Sequence, residues 1–123
     1  VSVDRLKVFL HRPVDAARLA DRTRLEVLGA RLRYSPEELG DFDEFELAFP
    51  LPEGREMTVS VAVEMRRVER IIVGQAPAGD DDADVRALEG DDLAAALAAA
   101  GPSAAAALAW LTADAAGPAP GPA

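Results

Sequence analysis

The chain has 123 residues, half of them apolar, no cysteine and a formal net charge of −9. That length and apolar content fit one domain with its own core and exclude a wholly disordered chain. The missing cysteine excludes a disulfide framework and a thiolate metal centre, which predicts a cytoplasmic protein, and the acidic balance excludes duplex nucleic acid as the main partner.

The charge is uneven: residues 1–33 carry eight Arg or Lys against four Asp or Glu, whereas residues 34–73 carry four against ten and residues 74–123 one against eight. A local arginine cluster can still hold a small anion within a Debye length of roughly 8 Å. At the N-terminus, Val8 to Leu10 is too short an apolar run for a secretory leader. DAARLADR, after Pro13, fits a short helix opened by Asp15 or an extended segment; we read it as extended. In LEVLGARLRYSPEEL, residues 25–39, Leu25 and Val27 are apolar at odd positions and Ala30, Leu32 and Tyr34 at even ones. The change of phase at Leu28 and Gly29 predicts a bulge or tight turn between two strand halves. SPEELG then predicts one helical turn, with Ser35 as N-cap, Pro36 at the first position and Gly40 as stop.

Phe45, Leu47, Phe49 and Leu51 alternate with polar or small residues, PLPEG follows as a turn, and Met57, Val59, Val61, Val63 and Met65 alternate again. The phase slips once more at Arg66 and Arg67. Two slips in one antiparallel set predict bulges that curl the sheet into a small barrel. GDDDAD, residues 79–84, ends the sheet, and DDLAAALAAAG and PSAAAALAWL predict two short helices broken at Gly101 and Pro102. Leu93 to Ala113 lacks charge, but its alanine content, its central Gly-Pro and its flanking aspartates argue against a membrane span. The predicted organisation is a β-barrel over 1–76, an acidic linker over 77–90, a helical segment over 91–113 and a flexible Pro/Gly/Ala tail over 114–123.

The sequence holds no catalytic signature. His11 is the single histidine and reads as a surface residue beside Arg12. Asp80, Asp82 and Asp84 have the opening spacing of a calcium loop, but Val85 replaces the turn glycine and Asp91 the closing glutamate. Trp110 beside Leu108 and Leu111 reads as a helix anchor. Metal and cofactor are therefore both predicted absent, and the chain is read as a non-enzyme. The group with a specific use is Arg18, Arg22, Arg24, Arg31 and Arg33, whose guanidinium forks suit phosphates and guanine edges. Ordinary strand-exposed arginines would produce the same pattern.

With GARLRY (29–34) entering a strand and FPLPEGREMTVSVAVEMRRVER (49–70) forming a proline-glycine hairpin and long strand, residues 12–70 resemble a PilZ domain. The resemblance implies a six-stranded antiparallel β-barrel followed by helices, and cyclic di-GMP as a ligand. Gly29 would be the motif glycine, and Arg18 and Arg22 have the spacing of the family's paired arginines. Arg24 and Glu26 fill the positions of the motif's acidic residue and serine, which departs from the usual ligand chemistry. The reading is a bacterial signalling or adaptor domain of mainly β structure that acts by contact with an unidentified protein partner, with cyclic di-GMP binding absent, weak or unconventional. Two alternatives stand beside it. One is a true cyclic di-GMP receptor using Arg18, Arg22, Arg24, Gly29 and Arg31. The other is a structural subunit that assembles as a homo-oligomer through its alanine-rich helices.

Overall fold

The computed structural model describes residues 3–80 and 82–112; the predicted tail over 114–123 lies outside them. Three short helices open the chain: α1 (Val3–Lys7), α2 (Ala16–Ala20) and α3 (Arg22–Val27). Strands β1 (Arg31–Tyr34), β2 (Phe42–Leu51), β3 (Arg55–Glu64), β4 (Arg67–Pro77) and β5 (Arg86–Ala87) follow, then helices α4 (Gly90–Ala100) and α5 (Ser103–Leu111). Every neighbouring strand pair is antiparallel, and the sheet order is β1-β2-β3-β4-β5.

The predicted six-stranded barrel is not formed. The sheet has five strands, and β1 and β5 are its open edges. The molecule is a small mixed α/β domain, with the helices and one face of the sheet sharing a core. Period-two alternation in β2 and β3 was sound, but alternation establishes one buried face and says nothing about closure. Phe45, Leu47, Phe49, Met57, Val59, Val61 and Val63 point to the helices and are almost completely buried. Leu97, Leu108 and Leu111 meet them from α4 and α5. Each such side chain contributes about 1.5–3 kcal/mol by leaving water.

The two phase slips have causes other than barrel bulges. The first is a helix end. Gly29 has φ +83°, its N–H donates to the Glu26 carbonyl at 2.9 Å, and the Ala30 N–H donates to the Leu25 carbonyl at 2.8 Å. These are the two bonds of a Schellman cap, so LEVLG closes α3 and Arg31 begins β1. The second slip is a hairpin turn: Met65 and Arg66 both have positive φ, 51° and 63°, between β3 and β4. A bulge does occur nearby, where Ala62 faces Arg70 but Val63 faces Val68, leaving Glu69 as the extra residue.

Two local predictions need correction. Residues 13–20 are not wholly extended, because the Asp15 carboxylate accepts from the N–H groups of Ala17 (2.9 Å) and Arg18 (3.4 Å) and caps α2. SPEELG makes no helix; the Ser35 hydroxyl donates to the Pro36 carbonyl and does not cap a turn. PLPEG is a turn, with Glu53 at φ +66° and Gly54 at φ +70° both in the left-handed region. The two C-terminal helices meet at Gly101 and Pro102 with a bend of 79°. Among the described residues no single helix is long and apolar enough to cross a membrane, although the bent pair has the necessary length and composition.

Candidate functional site

The face of the sheet away from the helices is partly covered by the loop that joins β4 to β5. Arg33 enters this cover with its side chain almost buried and pairs with Glu46 at 2.6 Å. It also donates to the carbonyls of Asp80 and Ala83. Arg31 donates to both carboxylate oxygens of Glu56, at 2.8 and 3.0 Å, while the Gly79 N–H donates to Glu56 Oε1 at 3.2 Å. Val85 packs where a side chain at Gly74 would lie: a Cβ there would sit 2.4 Å from Val85 Cγ1.

These contacts distribute the sequence's arginine cluster. Arg18 ties α2 to α5, donating to the Trp110 carbonyl at 2.7 Å and lying over the Trp110 ring at 5.9 Å. Arg22 and Arg24 are both exposed on α3, where two residues of separation turns them about 200° apart around the helix. Gly29 caps that helix, with the Ser103 hydroxyl 3.3 Å from its missing Cβ position. Arg31 is bound to Glu56 on the outer sheet face. The five residues therefore do not converge on one mouth. Trp110 is the half-buried helix anchor its neighbours suggest.

A different site emerges at the β4 edge. Antiparallel strands direct the peptide groups of alternate residues away from each partner. On β4's outer side the Val73 carbonyl accepts from the Leu88 N–H at 3.0 Å, and Gln75 faces Arg86 in β5. At the other end the Val68 N–H donates to the Arg12 carbonyl at 2.9 Å, and the Val68 carbonyl accepts from the His11 N–H at 2.7 Å. Ile71 shares the orientation of Val73, two residues away. Among the described residues no backbone bond engages its outward N–H and C=O.

Below this gap is a groove of about 340 Å³ between α1 and the start of α4. Leu6, Ile71, Val73, Leu88 and Leu93 form its apolar walls, and Lys7 and Glu89 are the charged residues on its rim. From Val68 to Val73 the strand advances roughly 16 Å at about 3.3 Å per residue. With both ends taken by the chain's own segments, about three residues of an added strand fit between them. Sequence reasoning missed this site because a free edge is a property of strand order, which residue periodicity does not encode. The local signal in the sequence is the unbroken apolar run Ile71-Ile72-Val73, which departs from period-two alternation.

Comparison with protein families, with curated proteins and with solved structures finds no match to this chain. With the sheet open and no PilZ family match, the PilZ assignment, its barrel and its cyclic di-GMP signalling role are set aside.

Proposed function

We propose that this chain is a non-catalytic binding domain that takes a short extended segment of a partner protein as an added strand on β4. One observation carries the reading: among the described residues no backbone group bonds the outward N–H and C=O of Ile71, which lie between two covered flanks beside an apolar groove. A strand laid there gains main-chain hydrogen bonds from Ile71, and its inward side chains extend the cluster formed by Leu6, Leu88 and Leu93. The closed flanks favour a segment of about three residues over the eleven-residue β4 of a second copy. The groove's apolar walls favour a segment with apolar residues at alternate positions. A contact this small belongs to transient recognition, below about 1,200 Å² of buried surface. The cytoplasmic placement expected from the cysteine-free sequence is part of the same proposal.

The test is selection of peptides from a random display library on the full chain. The expected result is enrichment of sequences with two apolar residues flanking any one residue, whose binding is lost in Leu93→Glu while thermal stability is kept. Leu93 is only partly buried, so a charge there enters the groove without being forced into the core. Enriched peptides that bind Leu93→Glu as well as the parent would reject the site. A dimer held through the β4 edges would also reject the proposed occupant.

A further inference from the structure

A second cleft lies on the other side of Leu88 from the groove, between α4 and the ends of β3, β4 and β5, with a volume of about 300 Å³. We propose that it binds a small organic acid carrying one carboxylate on an apolar body. This proposal is independent of strand addition at β4.

Strand register builds the polar end. Gln75 faces Arg86 across β4 and β5, and Arg55 faces Pro77, two residues beyond Gln75 on the same side of the sheet. Adjacent strands are about 4.8 Å apart, so the three side chains form a short diagonal row. Arg55 donates to Gln75 Oε1 at 3.5 Å. That orientation leaves the amide N–H groups of Gln75 able to donate alongside the two guanidinium forks.

Both arginines are loosely held. Arg86 is 3.4 Å from Asp92, and Arg55 is 3.8 Å from Glu53, in exposed pairs. Exposed pairs of that length contribute little and exchange readily, whereas a carboxylate can take a guanidinium in two parallel hydrogen bonds. Asp92 and Glu53 remain at the rim and oppose a second negative charge. This selects a monocarboxylate over a phosphate or a polyanion.

The apolar end is made by Leu51 and Leu88 of the sheet side and by Ala96 and Ala99 of α4. Larger residues on that helix face would fill the cleft, so the alanines of α4 keep it hollow. The volume lies at the low end of the roughly 300–1,000 Å³ found for ligand pockets, which suits a body of a few carbons.

The probe is hexanoate, titrated into the isotopically labelled full chain and followed by amide and arginine side-chain NMR shifts. Saturable shifts at Gln75, Arg86 and Ala96 are expected, with at least a tenfold weaker midpoint in Arg86→Gln and in the cleft-filling Ala99→Leu. Both substituted residues are exposed, so neither variant removes a core contact. Hexylammonium and inorganic phosphate should leave the same signals unmoved. Absence of saturable shifts, equal shifts with phosphate, or unchanged affinity in both variants would overturn the proposal.

Discussion

The Arg33 guanidinium meets the Glu46 carboxylate at 2.6 Å with its side chain only 5% exposed, and the same arginine holds the carbonyls of Asp80 and Ala83. The pair thus fastens the β4–β5 loop to the outer face of the sheet. Breaking it from one side strands a buried cation. Glu46→Ala should therefore destabilise the fold by about 3 kcal/mol or more, measured by urea unfolding. The double replacement Arg33→Met, Glu46→Leu removes both charges and should recover most of that loss. A cost below about 0.5 kcal/mol for the single variant, the range of ordinary surface changes, would show that the pair is no clamp.

Gly29 closes α3 in a left-handed conformation at φ +83°. An added Cβ also meets the Ser103 hydroxyl at 3.3 Å. Gly29→Ala should cost about 1–2 kcal/mol, whereas Gly40→Ala, with open space around its Cβ position and no positive φ, should be nearly neutral. Equal effects in a denaturation series would remove the cap from the account.

Met65 and Arg66 form the β3–β4 turn with positive φ at both positions, the backbone of a type I′ turn. Asn and Gly adopt that conformation far more easily. Replacing the pair with Asn-Gly should raise stability by about 0.5–2 kcal/mol; a loss of stability would mean that Met65 or Arg66 makes contacts the turn depends on.

Much of the fold can be read from residues that act locally. The alternation of Phe45, Leu47 and Phe49 and of Met57, Val59, Val61 and Val63 marks two half-buried strands, PLPEG marks their turn, and Gly101-Pro102 separates two alanine-rich helices. The failures share a cause. Leu25 and Leu28 are three apart and Gly29 follows them, which is as good a helix end as it is a strand bulge; only the bonds from Gly29 and Ala30 back to Glu26 and Leu25 decide it. Closure into a barrel depends on which strands become edges, and that follows from pairing between residues far apart in sequence. The arginines behave similarly. Arg31 and Arg33 look available in sequence, yet their partners Glu56 and Glu46 lie 25 and 13 residues away. The candidate site was illegible for the same reason, since Leu6, Ile71 and Leu93 converge only after the chain has folded.

The most direct test of the binding account is hydrogen exchange at the Ile71 amide. In the free protein this N–H should exchange far faster than those of Val59 and Val61, which lie on the central strand β3 between two paired neighbours. Addition of a selected apolar peptide should slow Ile71 exchange at least tenfold. An Ile71 amide already protected in the free protein, or one whose exchange is unchanged when such a peptide is bound, would contradict strand addition at β4.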